Sequence, residues 1–116
     1  MTTIDLVLTH KWFDMISIGI KREEYRNITR YWTQRLTRRC SSHYKHGCDK
    51  DCVKEYVGKN NNKSLFTNIT HVRFHRGYTS TIITYVVSEI VIGTGKPEWG
   101  AEPGKEYYVI RLGRQL

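Results

Sequence analysis

The sequence predicts an α+β fold in which a helix-rich first third is followed by strands that curl into a small β-barrel. Three observations support this. An alternating apolar segment opens the chain, two helical patterns follow it, and three strand patterns occupy residues 69–113. At 116 residues the chain suits a single domain with one modest core, spanning 1–116.

"IDLVL" puts Ile4, Leu6 and Leu8 on one face of a first strand, with Asp5 turned away. Thr9 is placed to cap a helix whose apolar positions are Trp12, Phe13 and Ile16, and Gly19 supplies a left-handed stop. "KREEYR" then enters the sheet around Tyr25. A second helix is expected from about Ile28 to Arg38, because Tyr31, Trp32, Arg35 and Leu36 recur at helical spacing. Between Cys40 and Ser64 aliphatic periodicity disappears, and this Cys/Lys-rich stretch reads as an insertion within the domain. "THVRFHRG" alternates Val72 and Phe74 against Arg73 and His75, and "TSTIITYVVSEIVIG" is long enough for one bent strand buried on both faces except at Ser88 and Glu89. A Gly/Pro-rich loop, "GTGKPEWGAEPGKE", leads into a last strand, "YYVIRLG".

Nineteen Lys+Arg against eleven Asp+Glu give a formal charge of +8, a bias toward polyanions such as nucleic acid or an acidic membrane surface. The plainer alternative is a protein that is merely basic. The opening "MTTIDLVLTH" lacks the basic region and long apolar core of a signal peptide, and no apolar run approaches the ~20 residues that span a bilayer. A cytoplasmic protein with no membrane partner is therefore expected, its three cysteines serving as thiols or metal ligands.

"GIKREEYR", Gly19 to Arg26, concentrates charge directly after an apolar helix. Lys21 supplies a compact cation, Arg26 a planar fork for bidentate contact, and Glu24 a carboxylate able to act as base or to orient its neighbours. Alternation along a strand would point Lys21 away from Glu24 and Arg26, so their convergence requires Lys21 to lie in the turn opened by Gly19. The alternative is a solvated salt-bridge network on a strand edge.

The octet resembles the G-x-K-x-x-E-x-R signature of ASCH domains, with Gly19, Lys21, Glu24 and Arg26 at its fixed positions. "LTHKWFDMI" and "EWGAEPGKEYYVIRLG" are also similar to that family, especially its small bacterial and phage-borne members, so the resemblance covers about residues 4–39 and 69–113. It implies a PUA-like barrel and RNA or a nucleotide-like ligand in a basic cleft, bound through Lys21, Glu24 and Arg26 with Tyr25 and Glu89 nearby. Trp99 and Gly100 would pack to close the barrel near that cleft. One relative hydrolyses the amide of acetylated cytidine, and its pattern implies a threonine nucleophile three residues after the lysine. Glu24 stands at that place here, and a carboxylate does not replace a hydroxyl as acyl acceptor.

The rival reading is a hydrolase of RNA or of a modified nucleoside, with Glu24 acting on water and Lys21 stabilising an oxyanion. A third is a protein-interaction module. Glu89, the only acid in "TYVVSEIVIG", either sits at a bulge or on the solvated side, or points into the cleft toward Lys21 or Arg26. Arg30, Arg35, Arg38 and Arg39 would give the second helix a nucleic-acid face, with Tyr31 and Trp32 as stacking planes or as helix core. In the insertion, Cys40, His43, His46, Cys48 and Cys52 have spacings that suit zinc, with Cys40, His43, Cys48 and Cys52 the first choice of ligands; a reduced flexible loop is the alternative.

Overall fold

The structure is a computed structural model that describes residues 2–36 and 69–116. Strand β1 (Thr2–Leu8) leads into helix α1 (His10–Ser17), then strand β2 (Glu23–Asn27) and helix α2 (Arg30–Leu36). Strands β3 (Ile69–Arg76), β4 (Ile82–Thr94) and β5 (Glu106–Gln115) follow, with a 3-10 turn at Pro97–Trp99 between the last two. The five strands form one mixed sheet in the order β1-β3-β4-β5-β2, curled into a half-barrel. Only the β1–β3 pairing is parallel.

Alternation decides which residues face the hollow of the sheet. Ile4, Leu6 and Leu8 lie beside Val72 and Phe74, and these beside Tyr85 and Ile83. The inner surface continues through Ile90 and Ile92 to Ile110 and Tyr108. Phe13 and Ile16 of α1 and Leu36 of α2 complete this core. At the far edge the next residues across are Glu24, beside Ile110, and Arg26, beside Tyr108. The inner face thus runs from aliphatic side chains into two charges on its last strand.

A smaller cluster lies on the other side of the sheet, where Tyr25, Tyr107 and Val109 pack with Ala101, Val91 and Trp99. Gly95 makes that contact possible, since a Cβ there would lie 2.6 Å from the Tyr25 ring. The Tyr25 hydroxyl donates to Glu23 at 2.8 Å and accepts the Lys96 amide at 3.0 Å, fixing the loop to β2.

α1 ends as its glycine requires. Gly19 has φ 84°, and the amides of Ile20 and Lys21 both reach the Met15 carbonyl at 3.0 Å. Thr9 holds the extended N-cap backbone, but its side chain makes no capping bond. At α2 the hydroxyl of Thr29 accepts the Trp32 amide at 3.3 Å. The long strand β4 is bent by register irregularities between Tyr85 and Val87 and between Val87 and Glu89. It is not buried on both faces as its hydrophobicity suggested: Tyr85 and Ile90 are buried, Val86, Val87, Val91 and Ile92 are half-buried like Glu89, and Ile82 is exposed at one end. Among the described residues no helix is long and apolar enough to cross a membrane.

α1 is fastened to the sheet by the Tyr85 hydroxyl, which donates to the Ile16 carbonyl at 2.8 Å. Gly19 N–H serves the same carbonyl, so Tyr85→Phe should cost only about 0.5–1.5 kcal/mol in urea unfolding. On the outer face Asp5 accepts from Arg73 at 2.5 Å and contacts His75 Nε2 at 2.8 Å, tying β1 to β3. The Arg73 and His75 hydrogen bonds lower the Asp5 carboxyl from its ordinary 3.8 to about 2. A depressed carboxylate contributes stability that is complete above the unfolded value and lost as pH falls through the folded one. Asp5→Asn should therefore flatten the acid limb of the stability curve between about pH 4 and 2, by less than about 1 kcal/mol because the pair is well exposed.

Candidate functional site

A cleft of about 690 Å³ lies along the seam between the two free edges of the half-barrel. One wall is β1 from Asp5 to Leu8, continued by Thr9 and Trp12; the other is β2 from Glu24 to Asn27. Tyr31, Trp32 and Arg35 of α2 stand over it, and Trp99, Gly100, Glu102, Lys105 and Tyr107 close the remaining side. A volume of this order suits a small molecule or one unit of a polymer.

The octet supplies the polar heart of the seam. Because Gly19 and the Met15 carbonyl hold Lys21 in the turn before β2, its Nζ reaches Glu24 Oε1 at 2.7 Å despite the strand alternation that would separate them. Glu24 Oε1 also accepts the Tyr25 amide at 3.0 Å. Lys21 is 1 % exposed and does not line the cleft, so it stands behind Glu24 and orients it. Burial pushes the Lys21 ammonium below its ordinary value, and the adjacent Glu24 opposes that shift.

Glu24 Oε2 has no hydrogen-bond partner although it is buried, and Arg26 Nη1 lies 3.7 Å from it. Arg26 Nη1 donates to the Tyr25 carbonyl at 3.2 Å, which leaves its buried Nε also without a partner. Among the described residues, a buried acceptor on Glu24 and a buried donor on Arg26 thus stand without hydrogen-bond partners, on two residues that line the cleft. Buried polar groups in folded proteins are nearly always satisfied, by protein, ordered water or a ligand, so these two atoms have capacity for a further partner.

Aromatic rings and guanidinium groups alternate at the rim. Trp32 lies between Arg26, 5.2 Å from its ring centre, and Arg35, 5.6 Å away. Arg35 also covers Tyr31 at 5.4 Å and donates to its hydroxyl at 3.1 Å. Trp12 is packed against Gly100, where φ is 100° and an added Cβ would lie 3.0 Å from the indole, leaving little room for a side chain.

No family model, no curated protein and no solved structure matches this chain. The site therefore rests on its own geometry.

Of the residues singled out in the sequence, Glu24, Tyr25, Arg26, Arg35, Tyr31, Trp32, Trp99 and Gly100 line the cleft. Tyr25 reaches it from a strand whose ring side is turned into the smaller cluster, and burial raises its phenol above the ordinary value. Glu89 does not line the cleft: it pairs with Arg111, which also binds Glu23 at 3.0 Å, and it follows a register irregularity in β4. Arg30 begins α2, but its side chain, together with Arg38, Arg39 and the zinc candidates Cys40, His43, His46, Cys48 and Cys52, lies outside the described residues.

Asp5, Trp12, Glu102, Lys105 and Tyr107 were not singled out as site residues, yet they line the cleft. Asp5 faces away from the core as alternation requires, and it reaches the cleft only because β1 is an edge strand. The charged lining comprises Arg26, Arg35 and Lys105 against Asp5, Glu24 and Glu102. Among the described residues the lining is therefore balanced in charge rather than basic.

Lys21→Met would leave the Glu24 carboxylate buried without its cation, and should destabilise the protein by about 3–5 kcal/mol. Adding Glu24→Leu should recover much of that loss in urea unfolding. A double variant as unstable as the sum of the two single ones would mean that the pair is not coupled.

Proposed function

We propose that this protein is a small RNA- or nucleotide-binding domain of the ASCH type, acting in the cytoplasm through the seam between β1 and β2. The observation that carries the reading is the unmatched pair of buried groups, Glu24 Oε2 and Arg26 Nε, at a cleft walled by aromatic residues. A carboxylate acceptor beside a guanidinium donor complements the edge of a nucleobase, which offers an N–H next to a carbonyl or a ring nitrogen. Trp12, Tyr31, Trp32 and Tyr107 supply the flat apolar surroundings that such a ring prefers. The net charge of +8 adds a non-specific attraction for the phosphate chain beyond the cleft.

A hydrolase reading draws on the same oxygen, since Glu24 lines the cleft and its Oε2 makes no hydrogen bond among the described residues. Lys21 is less suited to the oxyanion role that this reading gave it, because it is buried behind Glu24. Arg26 is the cation within reach of a bound group.

The test is fluorescence anisotropy of a labelled RNA containing both stem and loop, at two salt concentrations, followed over time. Binding should weaken as salt rises, and Arg26→Gln should lower affinity about tenfold or more, beyond the loss of a single peripheral charge. No binding at low salt would remove the RNA reading. A later fall in anisotropy that Glu24→Gln abolishes, with binding retained, would favour the hydrolase.

A further inference from the structure

We infer that the ligand is a single strand of at least two nucleotides: one base enters the seam with its edge against Glu24 and Arg26, and its neighbour stacks on Tyr31 outside. The inference rests on the nucleic-acid reading of the seam and specifies which form of nucleic acid it takes.

Hydrogen-bonding capacity at the bottom of the cleft decides which part of a nucleotide goes in. Glu24 Oε2 is a buried carboxylate oxygen with no hydrogen-bond partner among the described residues, and a phosphodiester, which has no N–H or O–H to donate, does not satisfy it. A neutral ring with an N–H to give and an acceptor to offer satisfies both Oε2 and the Arg26 Nε. The base therefore goes inward and the phosphate stays outside. An edge read in this way is already occupied in a duplex, so the base must be unpaired.

Tyr31 explains why one nucleotide does not fill the site. It is 57 % exposed, an uncommon position for a ring this large, yet it is not loose. Its hydroxyl accepts from Arg35 at 3.1 Å, and its ring meets Trp32 edge-on at 4.9 Å between centres. Trp32 is flanked by Arg26 and Arg35, which leaves Tyr31 as the accessible ring of the α2 rim. A held, exposed aromatic surface at the rim of the cleft is what a second base would stack on, and Arg35 beside it is placed to meet the phosphate that joins the two.

Isothermal titration of the four nucleoside 5′-monophosphates and the four matching homodinucleotides tests this on the wild-type protein, Tyr31→Ala and Tyr31→Phe. At least one dinucleotide should bind about 5- to 150-fold more tightly than its monophosphate, the range that one stacked base supplies. Tyr31→Ala should remove that gain, lowering the dinucleotide affinity by more than the monophosphate affinity, and Tyr31→Phe should keep most of it. On the ligand side, methylation that removes the base's edge N–H, as in 3-methyluridine or N4,N4-dimethylcytidine, should abolish binding of the corresponding nucleoside. Equal affinity for dinucleotide and monophosphate, a gain that survives Tyr31→Ala, or unimpaired binding of the methylated nucleosides would each overturn the inference. If the labelled RNA still binds through Arg26 in any of those cases, the broader reading stands without this one. If neither RNA nor any of these ligands binds, both fall.

Discussion

The inner face of this sheet ends on charge, and the architecture follows from that. A half-barrel normally hides its hollow by bringing its first and last strands together, but here the last strand presents Glu24 and Arg26 where the other four present aliphatic or aromatic side chains. A carboxylate at that depth cannot be covered by apolar groups at reasonable cost. Lys21 answers half of the need, occupying one oxygen of Glu24 from behind. The other oxygen is left without a hydrogen bond among the described residues, on a side chain that lines the gap between the strands, so the feature that keeps the seam polar is also the one that equips it.

Holding Lys21 behind Glu24 depends in turn on backbone details with no charge of their own. The left-handed Gly19 and the two amides on the Met15 carbonyl shorten the path from α1 to β2 by turning the chain back. On the opposite side of β2, Tyr25 is clamped between Glu23 and the Lys96 amide, with Gly95 against its ring. A strand of five residues is thereby fixed on both faces, one by an ion pair and one by a packed aromatic ring. Preorganisation of this kind lowers the cost of ordering side chains when a ligand arrives.

Much of the fold was legible because period-2 and helical patterns are local. Ile4, Leu6 and Leu8, then Val72 and Phe74, alternate plainly enough to give both strand and facing. Gly19 gave the stop of α1, and the requirement that Lys21 lie in the turn followed from counting residues. What could not be read was adjacency across the sheet. That β1 and β2 are its two edges depends on the pairing order, and the roles of Asp5, Glu102 and Lys105 in the cleft follow from that order alone. Glu89 shows the converse: its place in an apolar strand was evident, but its partner Arg111 comes from cross-strand register.

The strand order also bears on how the chain assembles. β3, β4 and β5 form an antiparallel meander of successive neighbours, whereas β1 pairs Thr3 with His71 and β2 pairs Glu24 with Ile110. Both walls of the seam are thus made by distant contacts, each closing a long loop before any hydrogen bond is gained. The meander can form first as a platform, with the N-terminal strands joining its opposite edges later. On this route the cleft has no precursor, and comes into being only when the last strand is in place.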